Sequence, residues 1–180
     1  SIPRDHITIN IPDNLKGTKT GGFIESIHYT DAMLGNFIEE LDKKGLLNNT
    51  VVAIYGDHEG IHKFFGDEVQ GLNIPDKWKS NDRRIPLIVY SKDFRGSEIK
   101  TNGGQVDFLP TISSLLGINE EKYANTALGR NLLNTNMDYT VLTNWSYRGK
   151  EVSEDEKKKY IDILHTSNLM IKTNYFKGRY

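Results

Sequence analysis

Thr50-Val51-Val52-Ala53-Ile54-Tyr55-Gly56-Asp57-His58-Glu59-Gly60 is the stretch whose reading decides the fold. A β-branched and apolar run ends at a glycine, and an aspartate, a histidine and a glutamate follow at once. An unbroken apolar run of this kind reads as a strand buried on both faces, the pattern of a parallel sheet. Open α/β sheets carry their working residues just past the carboxyl ends of such strands. Asp57 and His58 supply a carboxylate and an imidazole there, a donor pair suited to a divalent metal. The same stretch contains His58-Glu59-Gly60-Ile61-His62, literally H-E-x-x-H, which binds zinc in proteases when a helix sets both histidines on one face. A strand running straight into His58, and glycines on both sides of it, argue against a helix at that point.

The flanks complete an α/β unit around the strand. Upstream, Ile24, Ile27, Leu34, Ile38 and Leu41 recur near helical spacing, which predicts a helix over Phe23–Lys44 closed by Gly45. His28 and Asp31 lie one turn apart on it, a spacing that serves a structural polar pair or a metal. Leu46–Asn49 is a short turn into the strand. Ser1–Gly22, with Pro3, Pro12 and three glycines, reads as loop, and His6 is its one residue with obvious chemistry. Downstream of Gly60 a polar stretch reads as a long loop over the strand end, where functional loops gather. Arg83-Arg84 then precede a second buried strand, Ile85–Tyr90. Their guanidinium groups suit phosphate or sulfate, or form a solvated strand entrance.

Farther on, Asp107 is placed to cap a helix over Phe108–Leu116, with Pro110 in its first turn and Gly117 at its end. Asn119–Thr135 reads as loop, Tyr139–Tyr147 as strand, and Ser153–His165 as a charged helix with Ser153 and Glu156 in capping-box positions. Leu169–Lys172 reads as a final strand.

Composition bounds what the chain does. At 180 residues it is long enough for one domain with a sizeable core. Lys and Arg number 23 against 24 Asp and Glu, a net charge of -1, which excludes the general basic face of a nucleic-acid binder. There is no cysteine, so disulfide and thiol chemistry are excluded. No apolar run reaches the roughly 18 residues that span a bilayer.

Taken as an ordered set, several stretches resemble one family. His28-Tyr29-Thr30-Asp31-Ala32-Met33-Leu34, then Gly45-Leu46, Asn49-Thr50-Val51-Val52 and Tyr55-Gly56-Asp57-His58, look like the carboxy-terminal half of the sulfatase and alkaline phosphatase superfamily. Arg84–Tyr90 and Gln105–Ile112 are similar in the same order. The wording Tyr-Gly-Asp-His resembles the lipoteichoic acid synthase-like phosphoglycerol transferases in particular. The similarity covers roughly residues 1–133.

The resemblance implies an α/β fold: an alkaline phosphatase-like sheet flanked by helices, of which residues 1–180 form the carboxy-terminal part only, with the amino-terminal half absent. It implies that Asp57 and His58 ligate a catalytic divalent metal, most often manganese, with magnesium, zinc or calcium as alternatives. It implies a substrate-contacting histidine, matched here by His6, although His6-Ile7-Thr8-Ile9 departs from the family's H-x-P pattern. Arg84 is the second expected substrate contact. The nucleophilic threonine and a glutamate ligand are expected upstream of Ser1, so no catalytic nucleophile is assigned here and this chain by itself is expected to be inactive.

The function implied is a metal-dependent phosphoglycerol transferase of cell-envelope polymer synthesis, working on the extracellular face of a bacterial cytoplasmic membrane. Its partners would be an anionic glycerophospholipid and a polymer acceptor, with membrane attachment through an upstream segment and self-association through an exposed sheet. Alternatives are a sulfatase or phosphodiesterase on the same fold, a non-catalytic polymer-binding module, and the zinc protease of the H-E-x-x-H match.

Overall fold

The computed structural model describes residues 9–80 and 82–178, with backbone only at 62 and 63. His6 therefore lies outside the described residues. The chain divides into two compact units, Ser1–Phe94 and Arg95–Tyr180.

In the first unit helix α1 spans Lys19–Lys43, four residues earlier at its start than apolar spacing predicts. The start is set by capping rather than by the apolar stripe. Thr18 Oγ1 accepts the Gly21 N–H at 2.9 Å, satisfying one of the amides that a helix leaves orphaned at its first turn. Gly21 is the only residue type that fits there, because a Cβ would overlap the Leu15 carbonyl and Ile11. At the far end Gly45 takes φ +69° and donates its N–H to the Asp42 carbonyl at 2.8 Å, the left-handed exit expected of a glycine after the last turn.

Strand β1, Val52–Tyr55, pairs with β2, Leu87–Tyr90, so the two expected strands are neighbours in one sheet. The pairing is antiparallel, with Ile54 opposite Ile88 and Tyr55 opposite Leu87, not parallel as the apolar runs suggested. An apolar run reports that both faces are sticky; it carries no information about strand direction, which is set by where the connecting chain returns. Nor is the ribbon buried: Tyr55 and Ile88 are each 54% exposed, and exposed positions alternate with half-buried ones along both strands.

The connection between the strands is not a loop. It forms helix α2, His62–Gly71, and the short helix α3, Asp76–Lys79. Gly60, Gly66 and Gly71 break up the helical pattern in sequence, and α2 itself is interrupted at Phe65 by a non-helical φ of −131°. Helix α1 packs against α2 and against the turn Leu46–Asn49. Leu47 and Val69 are the most deeply buried large side chains.

The second unit holds α4, Phe108–Leu115, the antiparallel hairpin β3, Tyr139–Val141, with β4, Tyr147–Gly149, and α5, Glu154–Lys172. Helix α4 ends as expected at Gly117, φ +71°. Ile118 N–H reaches the Ser113 carbonyl at 2.9 Å and Gly117 N–H the Ser114 carbonyl at 3.0 Å, a Schellman closure. The predicted Tyr139–Tyr147 strand is thus a hairpin whose turn falls in the middle of the segment.

Helix α5 carries the predicted capping box: Ser153 Oγ accepts from Glu156 N–H at 3.3 Å, and Glu156 Oε2 accepts from Ser153 N–H at 3.2 Å. It then runs through Leu169–Lys172, which sequence alone suggested as a strand. No glycine or proline intervenes, so the short apolar patch simply extends the helix, with Leu169 and Ile171 exposed on it.

Asp107 does not cap its own helix by side chain. Its carboxylate, 2% exposed, accepts from Gly104 N–H at 2.9 Å and from Arg130 N–H at 2.8 Å, tying two loops together. Among the described residues no helix is long and apolar enough to cross a membrane.

Candidate metal and substrate site

Gly56 carries the β1–β2 ladder one step past the strand, its N–H donating to the Pro86 carbonyl at 3.1 Å. A side chain there would sit 3.1 Å from Ile85 Cβ and 3.3 Å from Pro86 Cδ, so glycine lets the two segments stay close until the chain bends away. Asp57 and His58 occupy that bend, both open to solvent.

His58 Nδ1 lies 2.6 Å from the Glu59 carbonyl oxygen. A carbonyl can only accept, so Nδ1 is the donor here, and Nε2 is the nitrogen through which the ring would meet a metal. Metal-binding histidines are oriented by this kind of second contact. Nε2 is 3.6 Å from Asp57 Oδ1. Two ligands on one ion with bonds near 2.1 Å stand about 3–3.5 Å apart, so the pair needs only a small adjustment to share a cation. The ring edge also rests on Phe64 of α2, centroids 5.2 Å apart and planes at 81°. Carboxylate oxygen and neutral imidazole therefore fit a divalent ion as two of its ligands. Among the described residues no group of three His, Cys, Asp or Glu side chains gathers to complete a site.

The H-E-x-x-H match fails on backbone geometry. Helix α2 begins at His62, with Ile61 before it, and His58 lies in the bend outside it. The two histidines do not share a helix face, which is what gives that motif its zinc site.

Antiparallel pairing has a consequence for Arg84. It brings the beginning of β2 alongside the end of β1, so Arg84 enters the sheet at the end where Asp57 and His58 leave it. A parallel pair would have put it at the opposite end. The guanidinium is held by Asp82: Nε donates to Oδ1 and Oδ2 at 3.0 and 2.9 Å, Nη2 to Oδ2 at 2.6 Å, and the Arg84 backbone N–H to Oδ1 at 3.0 Å. The hydrogen bonds and charge of Asp82 raise the Arg84 pKa above its ordinary value. This fork occupies one edge of the guanidinium and orients it; the side chain is otherwise 90% exposed, leaving Nη1 toward solvent. The Asp82-x-Arg84 spacing was readable in the sequence as such a pair and was passed over. Phe64 and the Glu59 carbonyl carry no signal that sequence reasoning could have found. His28 and Asp31 are at exposed positions of α1.

The Sulfatase family model matches residues 12–118, a span that includes Asp57, His58 and Arg84 and excludes His6. Lipoteichoic acid synthase 1 of Bacillus subtilis is 33% identical over 148 residues, 76% of this chain and 23% of that protein. Lipoteichoic acid synthase of Staphylococcus saprophyticus is 35% identical over 133 residues, 71% of this chain and 20% of that protein. The chain thus spans about a quarter or less of the length of these curated relatives. The crystal structure of the lipoteichoic acid synthase LtaP from Listeria monocytogenes superposes with a TM-score of 0.68 at 28% identity, covering 95% of this chain and 50% of that one. The α/β architecture is therefore part of an alkaline phosphatase-like catalytic fold. Matched by that model over more than half of its residues and carrying that fold, the chain belongs to the sulfatase family.

Proposed function

We propose that this chain forms the metal-binding strand end of a lipoteichoic acid synthase-like phosphoglycerol transferase, with Asp57 and His58 as ligands of a divalent ion, manganese in the first instance. The observation that carries the reading is the Asp57–His58 pair itself. Nε2 and Oδ1 stand 3.6 Å apart, with the opposite ring nitrogen engaged by a backbone carbonyl, a separation close to that of two ligands on one cation. Similarity to the synthases of Bacillus and Staphylococcus supports the substrate class, an anionic glycerophospholipid such as phosphatidylglycerol with a polymer hydroxyl as acceptor.

When bound, the ion would supply positive charge against the negative charge that develops on phosphoryl oxygens. The chain's own residues do the rest of what is assigned to it. Asp57 brings a formal negative charge that holds the cation. His58 donates from Nδ1 to the Glu59 carbonyl and would meet the cation through Nε2. Arg84, oriented by Asp82, turns its remaining N–H donors outward at the same end of the ribbon, where a phosphate oxygen can accept them. His6 is the proposed second substrate contact. The nucleophile and further ligands are assigned to residues outside this sequence, residues 1–180 being the carboxy-terminal part of one catalytic domain. Magnesium, zinc or calcium would meet the same two donors. The proposed setting is the outer face of a bacterial cytoplasmic membrane. The exposed apolar side chains of the β1–β2 ribbon are the surface offered for self-association.

Titration with manganese, followed by the loss of the free-ion electron paramagnetic resonance signal, tests the ligand assignment. The expected result is weak but saturable binding that Asp57→Ala abolishes. Identical binding by the two proteins would overturn it. Incubation of residues 1–180 with labelled phosphatidylglycerol should give no turnover, and robust turnover would place a nucleophile within this chain. A sulfate ester and a simple phosphodiester, tried alongside, separate the transferase from a sulfatase or phosphodiesterase built on the same fold.

A further inference from the structure

Between the candidate site and the start of α1 runs a chain of contacts that the reaction chemistry does not require. Glu68, on α2, reaches the amino-terminal turn of α1. Its Oε1 accepts from Thr20 N–H at 2.7 Å and from Thr20 Oγ1 at 2.6 Å, and its Oε2 accepts from Lys19 N–H at 3.2 Å. Thr20 is 1% exposed, so this clasp closes over a buried hydroxyl. Beside it the Lys19 ammonium stands 5.7 Å from the centre of the Phe65 ring. Phe65 leans on Phe64, centroids 6.4 Å apart, and Phe64 meets the edge of the His58 ring.

The geometry of α2 explains why an anchor is needed. The helix is broken at Phe65, so its first turn, which carries Phe64 and is closed by Phe65 N–H donating to the Ile61 carbonyl at 3.0 Å, does not continue in line into the second segment. No capping side chain supports that end either. A single uncapped turn is marginal by itself, so contacts from outside decide where it sits. Glu68 and Val69, the latter fully buried, fix the second segment against α1, and the aromatic pair carries that fixation to the bend. A carboxylate at the start of α1 also meets the positive end of the helix dipole.

We propose that Glu68 is a positioning residue for the Asp57–His58 pair: by clasping the amino terminus of α1 it fixes α2 and thereby holds Phe64 against the His58 ring. This rests on the reading of Asp57 and His58 as metal ligands. Glu68 touches neither the ion nor the substrate. Its effect is to reduce the range of ring orientations from which Nε2 must be gathered when a cation arrives, and the expected consequence lies in affinity rather than in the identity of the ligands.

The test is manganese titration of the full chain, read by electron paramagnetic resonance, for the unchanged protein and the variants Glu68→Ala, Glu68→Gln, Phe64→Leu and Asp57→Ala. Circular dichroism of each variant at the titration temperature shows whether it is folded. Glu68→Ala is expected to weaken manganese binding on the order of tenfold, the lower end of what losing an orienting partner costs a metal site. Glu68→Gln keeps an oxygen for both Thr20 donors and is expected to recover most of that loss. Phe64→Leu cuts the relay at the His58 end without touching the clasp and is expected to reproduce the Glu68→Ala loss.

Folded Glu68→Ala binding manganese as the unchanged protein does would overturn the proposal, as would a loss that Glu68→Gln fails to recover. If Glu68→Ala does not fold, Phe64→Leu decides alone, and undiminished binding by it refutes the relay. Should Asp57→Ala bind as well as the unchanged protein, it is the ligand assignment that has failed, a result distinct from intact Asp57 dependence with no Glu68 effect.

Discussion

The two units of this chain are stabilised in opposite ways. Residues 1–94 expose an apolar two-stranded ribbon and a long helix on which Ile27 and Phe37 are 52% and 53% exposed, and they carry the candidate chemistry on an open bend. Residues 95–180 are held by a polar and aromatic knot. Asp107 ties Gly104 to Arg130, and the Arg130 guanidinium lies 3.9 Å from the centre of Tyr139 while Nη2 donates to the Asn102 and Tyr139 carbonyls at 2.8 and 2.6 Å. Tyr139 in turn stacks on Tyr160 with centroids 3.5 Å apart. Arg130 Nε is buried without a hydrogen-bond partner, and its place over an aromatic face offsets part of that cost. The difference teaches where to look for function. In the second unit the polar and aromatic groups named here are turned on one another, whereas the bend after β1 presents a carboxylate and an imidazole to solvent.

Substitutions can break this division. On the proposed reading of Asp57 as a metal ligand, the largest effect should come from Asp57→Ala, which is expected to lower the transferase activity proposed for the whole protein more than about a hundredfold, since removing a ligand exceeds the 10–100-fold cost of removing its support. Its unfolding midpoint should stay put, because the side chain is 86% exposed. Calorimetry with a phosphatidylglycerol assay reads both.

Next in size, Asp107→Ala should show the reverse. Two partly buried backbone N–H groups lose their acceptor, at about 1–3 kcal/mol each, so denaturant unfolding should report a loss of about 3 kcal/mol. Manganese binding should be unchanged. An altered metal titration in a folded Asp107→Ala protein would end the separation of roles. Leu47→Ala, at a site 2% exposed in the first unit, should cost a similar amount, about 3 kcal/mol, by leaving a cavity rather than unpaired amides.

A smaller effect is expected from Ser153→Ala. It removes the acceptor for the Glu156 N–H at the start of α5 and should destabilise by about 1 kcal/mol, measured by thermal unfolding.

The smallest concerns acid. Glu68 in the first unit has its pKa lowered by the hydrogen bonds from Thr20 and Lys19, and Asp138 in the second by those from the Asn102 backbone and side-chain amides. A carboxylate whose folded pKa is depressed contributes stability that is present above its unfolded value and lost as pH falls through its folded value. The window therefore opens below the ordinary values of 4.5 for Glu68 and 3.8 for Asp138. Both groups remain partly exposed, so solvent screening keeps the effect slight. Glu68→Gln and Asp138→Asn should each flatten the acid limb of the stability curve, and an unchanged limb in both would mean that these contacts do not persist in solution.

Much of this was written in local sequence. The capping box of α5, the Schellman glycine after α4 and the exit of α1 at Gly45 depend on a few adjacent residues and on backbone φ, so reading them required no partner. The strand end at Gly56-Asp57-His58 was equally plain, because an apolar run and a glycine terminate there within a short segment. The helices α2 and α3 were not legible. Their propensity is low, and what favours them is burial of Val69 and the grip of Glu68 on a turn 48 residues away. Leu169–Lys172 misled for the same reason: a short apolar patch fits strand or helix, and only its continuity with a packed α5 decided between them.

The sequence by itself determined the donor types, their order and the glycine that lets them follow a strand, since these are covalent facts read by neighbours. Only the tertiary structure decided that β1 and β2 run antiparallel, which sets Arg84 at the same end as Asp57. It alone decided that Asp82 grips that arginine, that the Glu59 carbonyl engages His58 Nδ1, and that Phe64 meets the ring. Each of these depends on which distant segments approach, and approach is set by the sum of many weak burial terms rather than by any residue's own preference.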